Sequence, residues 1–140
     1  MKKWKLFLIC LFGILQLSAY AAPKEKKAKK ETTEEPKRVY MYGVAINFND
    51  SIVHLTDVQH LDSVVINLDG ALQNYANYSQ QLKVYLEGNL GKSNQTCAVI
   101  YSDKKKKLEK RFIKTRKKYQ SDKDKSLYRI GTDAFSFEKH

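Results

Sequence analysis

The sequence predicts a small α/β domain with a mixed β-sheet, and three observations support that prediction. Apolar residues alternate along Val39–Phe48, as in a strand, and then recur at helical spacing over Asn74–Glu87. An uncharged run at Thr96–Tyr101 is followed by a second helical stretch and a short last strand. This strand–helix–strand–helix–strand order favours parallel pairing through β-α-β-α-β crossovers, preceded by an N-terminal antiparallel hairpin.

The first 21 residues have the three-part pattern of a secretory signal peptide. Lysines precede the apolar stretch Leu6–Leu17, and Ala19 and Ala21 are the small residues before a cleavage point after Ala21. The stretch is shorter than the roughly 20 residues of a membrane-spanning helix. Cys10 lies inside the apolar stretch, which disfavours a lipid anchor on it. We therefore expect export to the periplasm or cell surface, with residues 1–21 removed and no transmembrane segment afterwards.

Charge divides the rest of the chain into three parts. Residues 22–38 carry seven basic and four acidic residues and no large apolar side chain, so they predict a disordered charged linker. Residues 39–91 have a net charge of −4, whereas residues 92–140 carry 15 basic and six acidic residues. We expect residues 39–140 to form the single α/β domain, with an acidic half followed by a basic half.

The first half of this domain predicts a hairpin and one ambiguous segment. The turn-forming residues 49–51 lead into a second strand at Ile52–Thr56, which we expect to pair with Val39–Phe48 at an edge of the sheet. Leu61–Leu68 is either a third strand or a buried loop, and Asp69-Gly70 ends it.

The following helix and strand are predicted from their apolar residues. One stripe of the first helix is apolar and consists of Tyr75, Tyr78, Leu82, Tyr85 and Leu86. Gly88 or Gly91 is suited to end it. The run Thr96–Tyr101 is typical of a strand buried on both faces, which places Cys97 in a central strand.

The second helix is predicted over Asp103–Tyr119, with an apolar stripe that contains Leu108 and Phe112. The last strand is predicted at Leu127–Ile130. Phe135 and Phe137 are one strand period apart, so they either extend that strand or cap it.

The sequence contains few candidates for catalysis or metal binding. The histidines at 54, 60 and 140 lack the spacing of a metal motif, and no phosphate-binding loop, nucleophile elbow or dinucleotide fingerprint occurs. Cys97 lies in an uncharged strand, and we expect a buried, unreactive thiol there because a nucleophile needs exposure and a basic neighbour. We therefore predict no catalytic residue, no metal and no cofactor.

The second helix has one unusual property, its charge. Residues 104–118 contain ten basic residues and one acid, Glu109. At 100° per residue, seven of these cations form an unbroken arc opposite Leu108 and Tyr119, which we name the cationic ridge. The ridge consists of Lys106, Lys107, Lys110, Arg111, Lys114, Lys117 and Lys118.

The ridge has two interpretations. Like charges four residues apart on a helix each cost roughly 0.2–0.5 kcal/mol, so an unmixed ridge lowers helix stability without local gain. Such a local conflict indicates a function, and the ridge then predicts an anion-binding surface. The alternative is a solvated helix face made of good helix-forming residues.

Three segments of the chain stand out together: Tyr42–Ala45 with Phe48–Ser51, then Asn77–Ser79 with Leu82 and Tyr85-Leu86, and finally Asn94–Cys97 leading into the lysine-rich helix. They resemble a family of small exported proteins from Bacteroides- and Prevotella-like bacteria. The resemblance covers about residues 39–138. It implies a bacterial source and an envelope location. It implies no activity and no site residues.

These observations lead to a main hypothesis and three alternatives. The main hypothesis is a non-enzymatic envelope protein whose ridge contacts an anionic partner, either a lipid headgroup, a glycan or an acidic protein. A nucleic-acid-binding protein is the first alternative, although the export signal opposes it. The second is a small hydrolase or redox protein that uses Cys97. The third is a structural subunit that exchanges strands through the first hairpin.

Overall fold

A computed structural model of the protein describes residues 34–139, so the predicted signal peptide and most of the predicted linker lie outside the described residues. Five strands and two α-helices follow one another in the predicted order, and the mixed α/β class is confirmed. The elements are β1 (Lys37–Ile46), β2 (Ile52–Thr56), β3 (Gln59–Val64), α1 (Tyr75–Asn89), β4 (Thr96–Ser102), α2 (Lys105–Gln120) and β5 (Ser126–Ile130). In the described part of the chain, no helix has the length and apolarity that a membrane span needs.

β1 is the central strand of the sheet, so the prediction that the hairpin forms an edge is wrong. One side of β1 pairs antiparallel with β4 over residues 40–46, and the other side pairs antiparallel with β3 and then β2. β5 pairs with β2 in parallel orientation. The other four strands therefore all run opposite to β1. The crossover helices still join parallel strands, but these strands are not neighbours in the sheet.

The central position of β1 follows from its composition. Val39, Met41 and Ala45 are buried on one face of the strand, and Tyr42 and Val44 are buried on the other. A strand with two apolar faces needs a covering layer on each side. Helix α1 covers the first face and α2 the second.

β4 is an edge strand, which corrects the prediction that it is buried on both faces. It pairs only with β1 among the described strands. Val99 and Ser102 are buried, but Thr96 and Ala98 are exposed. Part of the open side of β4 is covered by a side chain, because the Val99 N–H donates a hydrogen bond to the Tyr75 hydroxyl at 3.0 Å. This cover helps an uncharged strand to lie at the edge of the sheet.

The ambiguous segment before α1 is part strand and part loop. β3 extends to Val64, and the chain then turns so that Ile66 and Leu72 form an isolated antiparallel bridge. Helix α1 ends at Asn89, and Gly91 follows with a φ of 60°, a left-handed conformation that glycine adopts readily. Gly91 is thus the stop signal, whereas Gly88 lies within the last turn of the helix.

Helix α1 packs closely against β1. Tyr78, Leu82 and Leu86 form its buried stripe, while Tyr85 is half-buried and Tyr75 is exposed. A β-carbon on Gly43 would lie 2.5 Å from Leu82 Cδ2, which is closer than two carbons can approach. Any side chain at this position of β1 would therefore displace Leu82 and crowd the Phe137 ring, whose Cζ would lie 3.2 Å away.

The C-terminal tail completes the same layer and does not extend β5. Phe135 and Phe137 are buried against the α1 side of the sheet, so they cap the core. The Gln59 side chain bonds the Phe135 carbonyl at 2.9 Å and the Phe137 N–H at 2.8 Å. Gln81 bonds the backbone of Glu138 in the same two-sided way, at 2.8 and 2.9 Å. The tail is therefore held by the side chains of two glutamines and not by pairing with a strand.

Candidate anion-binding surface

The buried stripe of α2 determines which way the ridge faces. Leu108 and Phe112 are buried against Tyr42, Val53 and Leu55. The rings of Phe112 and Tyr42 meet edge to face at 5.2 Å, and the Tyr42 hydroxyl lies 2.9 Å from Thr115 Oγ1. These contacts fix the rotation of the helix, so the opposite side faces solvent.

All seven ridge side chains are exposed, as the helical arithmetic predicts. Arg116 is the one basic residue of α2 that is not exposed. Its guanidinium lies 6.0 Å from the centre of the Phe112 ring, and it is half-buried. The sequence placed Arg116 outside the ridge, and its position beside the buried stripe agrees with that.

None of the seven ridge cations has an ion-pair partner in residues 34–139. The four ion pairs of this part of the chain include none of the seven ridge residues. The one acid of α2, Glu109, pairs with Lys105 at 3.8 Å, and Lys105 lies outside the ridge. A solvated helix face normally gains from mixed charges, and this one does not.

Three of the five acids in residues 39–91 pair with cations outside the ridge. Asp50 contacts Lys92 at 3.3 Å, Asp62 contacts Arg38 at 2.5 Å, and Asp57 pairs with Arg129. Because the Arg38 guanidinium bonds it, the Asp62 carboxyl has a pKa below its ordinary value. These ion pairs partly neutralise the acidic half of the domain, and none of them includes a ridge cation.

The start of α2 adds to this positive charge. Lys104 is the N-cap and makes no capping bond with its side chain, and no acid lies in the first turn. The positive end of the helix dipole therefore coincides with four consecutive lysines, 104–107. At the other end, the Ser121 N–H and hydroxyl both bond the Lys117 carbonyl.

Cys97 is half-buried on the edge strand β4, so the prediction of a buried thiol in a central strand is wrong. It forms no disulfide within the described residues. Burial raises the pKa of its thiol to about 11. The nearby Lys83 lowers this pKa and Glu87 raises it, both by smaller amounts. A nucleophilic cysteine needs a lowered pKa, so this environment suppresses thiolate chemistry.

The Cys97 thiol should react slowly in the folded protein. Its pKa is raised from 9.0 to about 11, so the thiolate fraction at pH 8 falls about 100-fold. A more basic thiolate is a stronger nucleophile, so alkylation by iodoacetamide should slow about tenfold. The test compares native and urea-unfolded protein in a Cys10→Ser variant, which leaves one thiol. Equal rates in the two states would contradict it.

His54 is the one buried histidine among the described residues, with 2% of its surface exposed. Burial lowers its pKa, and the nearby Lys92 lowers it further. Its Nδ1 has no hydrogen-bond partner in residues 34–139. His60 is exposed, and His140 lies outside the described residues. Over this range, no three His, Cys, Asp or Glu side chains are grouped as a metal site would require.

Comparisons with known proteins give no match, whether with family models, with curated proteins or with solved structures. The ridge therefore has to be interpreted from its own chemistry. That chemistry consists of seven exposed cations on a helix of fixed rotation, without an acid among them.

Proposed function

We propose that the protein is an exported, non-enzymatic interaction module of a bacterial envelope that contacts an anionic partner through the cationic ridge. One observation carries this proposal: seven exposed cations, none with an ion-pair partner among the described residues, lie on a helix whose other face is anchored in the core. The pattern of residues 1–21 supports export.

The dimensions of the ridge suit a partner with repeated negative charges. Lys106 and Lys118 are separated by twelve helical steps, or about 18 Å along the axis. Headgroup phosphates, an anionic glycan and an acidic protein surface each present several charges over this length. Attraction by exposed charges acts over a Debye length of about 8 Å at physiological salt, so binding should weaken as salt rises.

Two observations favour this proposal over its alternatives. A nucleic-acid-binding ridge would benefit from exposed aromatic residues for base stacking. Phe112 is buried, however, and Tyr119 packs against the buried cluster that contains Leu108 and Phe112. A Cys97-dependent hydrolase would need a reactive thiol, and the pKa of this one is raised to about 11.

The test measures binding to vesicles of phosphatidylglycerol and of phosphatidylcholine. A ridge variant carries Lys110→Gln, Lys114→Gln and Lys117→Gln, and a matched control carries Lys123→Gln, Lys125→Gln and Lys139→Gln. Each lysine near an anionic membrane contributes about 1 kcal/mol, so the ridge variant should bind phosphatidylglycerol about 100-fold more weakly. The control removes the same charge from outside the ridge and should keep most of the affinity. Neutral vesicles report binding that does not depend on lipid charge.

Dextran sulfate and poly-glutamate extend the test to the other two partner classes. If the ridge variant and the control lose equal affinity for every probe, binding follows net charge and the ridge is a solvated face. The ridge variant should keep or slightly raise its melting temperature because like-charge repulsion falls.

A further inference from the structure

The outer side of β4 is partly covered and partly open. Backbone groups of alternate residues in an antiparallel strand point to opposite sides. Since the Val99 N–H points away from β1 to the Tyr75 hydroxyl, the backbone groups of Tyr101 point outward as well. The Tyr75 hydroxyl covers the middle of this edge. Beyond it, the backbone N–H of Tyr101 has no hydrogen-bond partner in residues 34–139.

A cavity of about 500 Å³ lies beside this open part of the edge. Residues 99–103 of β4 and the following turn line it, together with Ile66 and Gly70 from the loop before α1. Three cations also line it, Lys37 from β1 and Lys107 and Arg111 from α2, against the single acid Asp103. Exposed strand backbone and two ridge cations thus meet in one groove.

We propose that this groove binds an extended acidic segment of a partner protein, which adds a strand to β4 at Tyr101–Asp103. The inference rests on the proposed function, because it assigns a partner class to two cations of the ridge. An added strand gains main-chain hydrogen bonds from the edge, and its alternate side chains provide specificity.

The spacing of the charges agrees with this mode of binding. Side chains on one face of a strand repeat every second residue, at about 6.6–6.8 Å. Lys107 and Arg111 are one helical turn apart, and residues four apart on a helix have Cβ atoms about 5–6 Å from each other. Acids at alternate positions of the bound segment can therefore each meet one cation.

Charge also decides between possible occupants. Pairing of two β4 edges in a dimer would bring Lys107 and Arg111 of both copies into the same region, and like charges oppose that arrangement. A lipid headgroup can meet the cations, but it offers no row of backbone groups to the strand. An acidic, extended polypeptide satisfies both the cations and the strand edge.

The probe is the peptide acetyl-Val-Glu-Val-Glu-Val-Glu-amide, titrated into the full chain and followed by the backbone amide signals in NMR. We expect the Tyr101 and Asp103 signals to shift. Two analogues carry N-methyl groups on alternate residues, either the valines or the glutamates. One of them should bind at least tenfold more weakly, because N-methylation removes the donors that pair with β4 and leaves the charge unchanged. A peptide with lysine in place of glutamate should not bind.

Two double variants locate the charges that matter. Lys107→Gln with Arg111→Gln should weaken peptide binding at least tenfold, since both cations line the groove. Lys114→Gln with Lys117→Gln removes equal charge from the ridge outside the groove, and the affinity should stay within about twofold. Without peptide, Glu31→Gln with Glu34→Gln and Glu35→Gln should leave the Tyr101 and Asp103 amide signals unchanged. Shifts of both signals in that triple variant would identify the chain's own acidic segment as the occupant and overturn the assignment to a partner.

Equal binding by the parent peptide and both N-methylated analogues would overturn strand addition, as would equal losses in the two double variants. Salt-dependent binding to anionic vesicles would then still stand, and only this inference would fail. Failure of vesicles, dextran sulfate, poly-glutamate and the peptide alike would reject the proposed function together with it.

Discussion

Replacement of Phe112 with alanine should lower the free energy of unfolding by about 3–5 kcal/mol, the usual cost of removing a buried phenylalanine. Only 9% of Phe112 is exposed, and its ring meets Tyr42 edge to face at 5.2 Å. The stability of a domain is about 5–15 kcal/mol, so this single change would remove a large share of it. Equilibrium unfolding in urea, followed by circular dichroism, measures the loss.

The next residue of α2 provides the control. Ile113 is 43% exposed, so Ile113→Ala removes much less buried surface and should cost under about 1 kcal/mol. Similar losses in the two variants would mean that α2 does not pack as described. The contrast matters for function because the ridge faces solvent only while Leu108 and Phe112 hold the opposite side of the helix in the core.

Replacement of Phe137 with alanine should also cost about 3–5 kcal/mol, although this residue lies near the end of the chain. It is 3% exposed and meets the rings of Tyr78 and Phe135 edge to face, at 6.3 and 4.9 Å. Because the tail completes the layer over β1, its loss leaves a cavity that α1 cannot fill alone. The unfolding transition in urea should shift to a lower concentration with an unchanged slope.

Phe48→Ala is the matched control for this second change, because it deletes the same side chain where 87% of it is exposed. Its cost should be within about 0.5 kcal/mol of zero, as for most surface substitutions. Equal effects at the two positions would show that the C-terminal tail is not part of the cooperative core.

Local periodicity was enough to predict most elements and the orientation of the ridge. Alternation along Val39–Phe48 and the helical spacing of Leu108 and Phe112 each report which faces of an element are buried. The direction of the ridge follows from the same spacing, since cations at 100° steps opposite an apolar stripe must face solvent when that stripe is in the core. Which face of a helix or strand is buried can therefore be predicted from the spacing of its own residues, without knowing which distant segments pack against it.

Tertiary structure alone decided which strands pair and what meets at the sheet edge. The uncharged run Thr96–Tyr101 predicts a central strand, but β4 lies at the edge because only β1 pairs with it among the described strands. Likewise, nothing near Lys37 in the sequence indicates that it shares a groove with Lys107 and Arg111. Pairing and grooves depend on hydrogen bonds and packing between segments far apart in the chain. Local spacing shows which face of an element is buried, and long-range contacts determine its partners.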